Sequence, residues 1–155
     1  MAATASQATG AERISSVTVA WPAMPTIGAA RLVTADGLLE NAEVEVDGAL
    51  ITAVRPARRA CPDRVLAPGF VDLQVNGVDD VDVTDAAGPD WERLDALLLA
   101  QGVTTWCPTL VTAPLPAYGP ALARIDTAAH RPPAGRPAIA GAHLEGPFLG
   151  GAPGA

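Results

Sequence analysis

The chain has 155 residues, and its 10 basic residues, all of them Arg, stand against 17 Asp and Glu to give a net charge of −7. That length suits one ordinary domain, and an apolar fraction of 49% belongs to a globular rather than a disordered chain. Net acidity without clustered Lys or Arg argues against a phosphate-backbone binder, so nucleic acid is not an expected partner.

Residues 1–16, mostly Ala, Ser, Thr and Gln, read as a disordered tail that lacks the basic start and apolar core of a signal peptide. From residue 17 to residue 64 the text is strand-like. Val17-Thr-Val, Ala30-Arg-Leu-Val-Thr, Ala42-Glu-Val-Glu-Val and Ala49-Leu-Ile-Thr-Ala-Val are candidate strands, with turn signals at Asp36-Gly37 and Asp47-Gly48. Glu43, Glu45 and Asp47 alternate with Val44 and Val46, which predicts a half-buried antiparallel strand. A Pro- and Arg-rich connection from Arg55 to Arg64 leads out of this β-unit.

Residues 65–155 change pattern to strand, helix, strand, helix, strand, the alternation of a parallel sheet. Val71, Leu73 and Val75 alternate with Asp72, Gln74 and Asn76 in the first strand. The first helix has Pro89 near its start, Asp90 and Glu92 in its first turn, Gly102 just past its end, and a stripe of Trp91, Leu94, Leu97 and Leu98. A second strand runs from Val103 to Val111. Pro116 and Pro120 confine the second helix to about three turns ending near His130. Ile139 to Phe148 is the third strand and its exit.

Seven acids, Asp79, Asp80, Asp82, Asp85, Asp90, Glu92 and Asp95, crowd one stretch with only Arg93 to offset them, and read as a solvated loop and helix start. Cys61 and Cys107 form neither a disulfide framework nor a CxxC metal pair. Pro22, Pro25 and Arg31 interrupt the one long apolar stretch, so no membrane span is expected. Together these features imply a soluble, cytoplasmic chain. Trp91 and Trp106 read as packing residues, Cys107 as a structural thiol, and no phosphate-binding glycine loop is present.

Two strands carry polar residues in step. Residues i and i+2 share a face about 6.6 Å apart, so Gln74 and Asn76 point together, as do His143 and Glu145. A strand of a covered parallel sheet should be a continuous apolar run, and Asp72-x-Gln74-x-Asn76 is not. The residues by themselves leave two readings open, a partly solvated edge strand or a polar row at a barrel mouth. His143-x-Glu145 likewise reads either as a satisfied core histidine beside a turn or as half of a metal site, with Gly146 and Pro147 turning the chain after it.

Three blocks taken together resemble the N-acetylglucosamine-6-phosphate deacetylase family of the amidohydrolase superfamily. They are Leu66-Ala-Pro-Gly-Phe-Val-Asp-Leu-Gln-Val-Asn-Gly77, Gly102-Val-Thr-Thr-Trp-Cys-Pro-Thr-Leu110 and His143-Leu-Glu-Gly-Pro-Phe-Leu149. The resemblance implies an α/β fold with the first three strands of a (β/α)₈ TIM-type barrel over residues 65–155. Part of a small β-sandwich domain over residues 17–64 would precede it. It also implies hydrolysis of the acetamide of an amino-sugar phosphate, N-acetylglucosamine 6-phosphate, to glucosamine 6-phosphate and acetate, by a homo-oligomer holding one divalent metal ion, Zn²⁺.

Where most amidohydrolases have His-x-His at the first barrel strand, this chain has Gln74-x-Asn76. The resemblance therefore makes these two vestigial metal-site positions and implies a single-metal site. It makes Glu145 the carboxylate metal ligand, His143 its supporting neighbour, and Ala155 a residue near the substrate. The family's metal-binding histidines and its general base correspond to nothing within these residues. The chain is accordingly expected to be an amino-terminal fragment, inactive by itself. Other readings are an amidohydrolase for a cyclic amide or another acetylated sugar, and a non-catalytic remnant.

Overall fold

The structure, a computed structural model, describes residues 25–133 and 135–148. The expected tail at 1–16 and the strand expected at Val17–Val19 lie outside the described residues. The chain divides between Leu66 and Ala67 into two units. No helix among the described residues is long and apolar enough to cross a membrane.

In the first unit, β1 (Thr26–Thr34), β2 (Gly37–Asp47), β3 (Leu50–Pro56) and β4 (Val65–Leu66) form one sheet in the order β3-β2-β1-β4. The first three pair antiparallel through the two expected turns, and β4 joins β1 in parallel. Val65 and Leu66, placed by sequence in the second part of the chain, thus complete the first sheet. The cause is the free edge of β1, whose amides need acceptors. Ala30 N donates to Pro62 O at 3.0 Å and Arg31 N to Arg64 O at 3.2 Å, drawing the connection alongside.

The alternation along β2 sorts its faces. Val44 is buried with Leu32 and Ala42, and Val46 and Leu66 pack against them. Across from Glu43 in register lies Arg55, which pairs with Glu43 at 3.6 Å and also contacts Glu45. Asn41 staples the Pro- and Arg-rich connection to the sheet. Its Nδ2 donates to the carbonyls of Ala57 and Arg59, and its Oδ1 accepts from Cys61 N at 2.8 Å.

The second unit contains β5 (Phe70–Val75), β6 (Gly77–Val78), β7 (Val81–Asp82), α1 (Asp90–Ala100), β8 (Val103–Leu110), α2 (Leu115–Ala129), β9 (Ala138–Ile139) and β10 (His143–Leu144). β8 is the axis of this unit. β5 pairs with it in parallel on one side, and β9 and β10, two short pieces of the expected third strand, pair with it in parallel on the other. The result is a mixed α/β chain with two main sheets and a small ribbon. The parallel sheet is open, so the described residues do not themselves close the expected barrel, and the first sheet has no second layer among them.

The ribbon of β6 and β7 is an addition to the sequence reading. It depends on Gly77, because a Cβ there would run into the backbone carbonyl of Val81. At its turn Arg93 pairs with Asp79 at 3.0 Å and Asp80 at 2.8 Å, which neutralises part of the acidic stretch.

α1 packs on β6, β7 and β8, and α2 packs on β8 and β9. The expected stripe of α1 buries Trp91, Leu94 and Leu98, whereas Leu97 is only half-buried. Trp106 is fully enclosed at 0% exposure, its ring centroid 6.4 Å from that of Trp91, so both tryptophans are packing residues. α2 is longer than expected, at 15 residues. Pro116 falls in the first turn, where a missing N–H costs nothing. Pro120 forgoes one hydrogen bond near the helix start, and burial of Tyr118, Ala121, Ile125 and Ala128 carries the helix past it. On β5, Val75 is buried but Val71 and Leu73 stay 61% and 65% exposed, because the helices do not lie over the start of that strand.

Asp95 departs from the solvated reading of the acidic stretch. It is 5% exposed, and its Oδ2 lies 2.8 Å from Arg131 Nη2. Its Oδ1 has no hydrogen-bond donor among the described residues. Burial raises its pKa from the ordinary 3.8, against the opposing pull of Arg131 and then Arg136, with Glu92 adding a small push upward. A carboxyl raised in the folded state stabilises the fold below its ordinary pKa and loses that contribution as pH rises through the folded value. The stability of the wild type minus that of Asp95→Asn should therefore fall with rising pH across that window, as read by urea unfolding at each pH. A difference that grows instead would mean that the Arg131 attraction outweighs burial.

Candidate functional site

The polar row of β5 and the polar end of β10 emerge on either side of β8. Parallel pairing brings their carboxyl ends out together: Val75 lies opposite Pro108, and His143 and Leu144 lie opposite Thr109 and Leu110. Strands two positions apart in a sheet are separated by about 9.6 Å, a gap that facing Gln and Glu side chains can span. Here they do.

Glu145 follows β10 directly, and its backbone N–H donates to Leu110 O at 3.0 Å. Its Oε1 accepts two hydrogen bonds, from Gln74 Nε2 at 2.5 Å and from Asn76 Nδ2 at 3.3 Å. A carboxylate only accepts, so both amides present their NH₂ ends to it. No hydrogen bond from a described residue reaches Oε2. Gln74 and Asn76 are exposed and Glu145 is half-buried, so the cluster sits at an open strand end.

His143 is half-buried and turns to the backbone of β5 rather than to Glu145. Its Nδ1 lies 3.1 Å from Leu73 O. A carbonyl cannot donate, so Nδ1 is the donor in this contact. Ala155 lies outside the described residues. Cys61 belongs to the first unit, apart from these residues in the chain's division, and its thiol faces the carbonyl of Ala42.

Sequence reasoning missed Thr109. It is fully buried, its Oγ1 accepts from Val75 N at 3.0 Å, and it donates to Cys107 O at 3.1 Å. This side chain replaces a ladder bond where the β5–β8 register shifts between Asp72 and Val75, and it fixes the strand end that carries Gln74 and Asn76. The available signal was a hydroxyl residue between Pro108 and Leu110 in an otherwise apolar strand end.

As a metal-binding set, the cluster offers one carboxylate whose Oε2 accepts no hydrogen bond from a described residue, a donor type suited to a hard or borderline dication. Among the described residues no three His, Cys, Asp or Glu side chains come together, so the set fits part of a site rather than a complete one.

No family model matches the chain. Among curated proteins it is 40% identical over 99 residues to the mouse N-acetylglucosamine-6-phosphate deacetylase, covering 62% of this chain and 24% of that protein. It is 34% identical over 124 residues to the N-acetylgalactosamine-6-phosphate deacetylase of Escherichia coli O157:H7, covering 78% of this chain and 33% of that one. The solved N-acetylglucosamine-6-phosphate deacetylase of Thermotoga maritima matches 82% of this chain and 33% of its own, with 29% identity and a TM-score of 0.71. A mutant of the Mycobacterium smegmatis enzyme, solved in complex with N-acetyl-D-glucosamine-6-phosphate, matches 83% of this chain and 34% of its own, with 28% identity and a TM-score of 0.68.

The chain is thus related to the amidohydrolase deacetylases of amino-sugar phosphates. More narrowly, it is homologous to N-acetylglucosamine-6-phosphate deacetylases over a portion of their length. It spans about a quarter of the mammalian relatives and a third of the bacterial structures it matches.

Gly146 ties the cluster to the exit of β8. A Cβ at this position would collide with Thr112 Oγ1 and come within 3.1 Å of Thr112 Cβ. Gly146→Ala should lower stability by about 1–3 kcal/mol, and Thr112→Ala in the same chain should recover part of the loss. Thermal melts of the two variants check this, and an unchanged melting temperature for Gly146→Ala contradicts it.

Proposed function

We propose that this chain forms part of a metal-dependent deacetylase acting on N-acetylglucosamine 6-phosphate, with Glu145 as a ligand of a single divalent cation, Zn²⁺. The observation that carries the reading is the convergence of Gln74, Asn76 and Glu145 at one strand end, in a chain homologous to such deacetylases. A cation held there supplies Lewis-acid polarisation of the acetamide carbonyl and a more acidic water. Glu145 gives that cation its anionic protein ligand, and the Gln74 and Asn76 amides hold the carboxylate in place. His143, anchored on Leu73 O, supports the strand end from which Glu145 projects. Ala155 is assigned to the neighbourhood of the substrate.

A catalytic zinc site uses three protein ligands and a water, so a working centre needs further ligands and a general base from outside the described residues. Hydrolysis then gives glucosamine 6-phosphate and acetate, the base taking a proton from the water and returning one to the leaving amine. The first unit, through Leu66, is assigned to a small β-domain, and the chain from Ala67 onward to the start of the catalytic barrel. A cytoplasmic location and a homo-oligomeric state belong to the same reading. The match to an N-acetylgalactosamine-6-phosphate deacetylase, which covers more of the chain, supports the C4 epimer as a second substrate candidate.

Two measurements test this. In the longest natural form of the chain, Glu145→Gln keeps side-chain size and removes the charge, so zinc content and acetate release should fall together by at least tenfold, with partial recovery in excess Zn²⁺. Full zinc content with near-normal turnover removes Glu145 from the site. Comparing kcat/KM for the two epimeric N-acetylhexosamine 6-phosphates identifies the substrate. The 155-residue chain by itself should release no acetate from either.

A further inference from the structure

We propose that Gln74 and Asn76 are positioning residues for Glu145: their amide N–H groups occupy Oε1 of its carboxylate and leave Oε2 for the cation. The inference rests on the reading of Glu145 as a metal ligand. It changes the role of the two amides, which a sequence comparison with His-x-His would treat as the remains of a lost site.

The geometry supports a division of labour between the two oxygens. Both amides bond the same atom, at 2.5 Å and 3.3 Å, although Gln74 lies within β5 and Asn76 directly after it. The backbone beneath them is also fixed. Gln74 N donates to Asp72 Oδ1 at 3.1 Å, and Val75 N, between the two amide residues, donates to the buried hydroxyl of Thr109. An ionised acceptor strengthens such bonds, and two donors on one oxygen hold the plane of the carboxylate. Oε2 accepts no hydrogen bond from a described residue. Each amide meets Glu145 through its nitrogen, and its own carbonyl oxygen is the atom that would have to reach the cation for it to serve as a ligand. A neutral amide oxygen is also the weaker donor to a dication.

A double-mutant cycle distinguishes the roles. Zn²⁺ affinity is measured by competition with a chromophoric chelator for the wild type, Gln74→Leu, Glu145→Gln and the double variant, in the longest natural form of the chain. The same cycle is run with Asn76→Ala in place of Gln74→Leu. A residue that acts only through Glu145 should weaken binding by about tenfold in the wild-type background and have no further effect once Glu145 is Gln. Equal losses in both backgrounds would make the amide a ligand in its own right and overturn the proposal. So would no loss in either background. Wild-type affinity in Glu145→Gln alone would instead overturn the ligand reading itself, and this inference with it. Both amide residues are exposed, so their replacement leaves the packed core untouched, and near-ultraviolet circular dichroism of each variant verifies the fold.

Discussion

Parallel pairing across β8 is the constraint from which the site arises. Because β5 and β10 run in the same direction on its two sides, their polar ends emerge at one end of the sheet. Had either strand been antiparallel, Gln74 and Glu145 would lie at opposite ends. The pairing is enforced from beneath. Trp106 is enclosed between α1 and the sheet, and Thr109 bonds the β5 backbone where the regular ladder is interrupted. The apolar face of β8 sets the positions of the flanking strands, and its exit sets where the carboxylate sits. A slip of one residue in β10 would turn Glu145 away from the amides.

The chemistry at that end follows from the difference between amides and imidazoles. An imidazole in place of Gln74 or Asn76 could offer a nitrogen lone pair to a metal, whereas an amide nitrogen only donates and the group's one acceptor is its neutral carbonyl oxygen. In this structure the donors converge on an anion, so the row on β5 organises Glu145. Elsewhere in the unit charges are handled differently. Arg93 gathers Asp79 and Asp80 at the surface, while Arg131 meets Asp95 in a buried contact that leaves Oδ1 without a donor among the described residues.

Much of the site was legible before the fold. Gln74 and Asn76 stood out because polar side chains at alternate positions contradict the apolar run that a covered parallel strand requires, and Glu145 because His143 stands two positions before it and the Gly146-Pro147 turn follows. Their hydrogen bonds to one another were not legible, since these residues are about 70 positions apart in the chain and meet only through β8. The alternation along β2 and the capping pattern of α1 were local signals and predicted their elements well. Asp95 was misread because composition cannot separate one acid on the buried stripe from six neighbours in the same stretch. Pro116 and Pro120 suggested a shorter helix, but the burial of Tyr118, Ala121 and Ile125 is a tertiary effect that local propensity does not contain. The exposed Val71 and Leu73 mark the same limit, as their pattern calls for cover that the described helices do not provide.

The measurement that bears most directly on this account is an anomalous difference map at the zinc edge, from crystals of the longest natural form grown with Zn²⁺. The account predicts a peak at about 2.0–2.2 Å from Glu145 Oε2, with the Gln74 and Asn76 amide nitrogens still bonded to Oε1. A peak remote from Glu145, or one coordinated by the side-chain oxygen of Gln74 or Asn76, would contradict it.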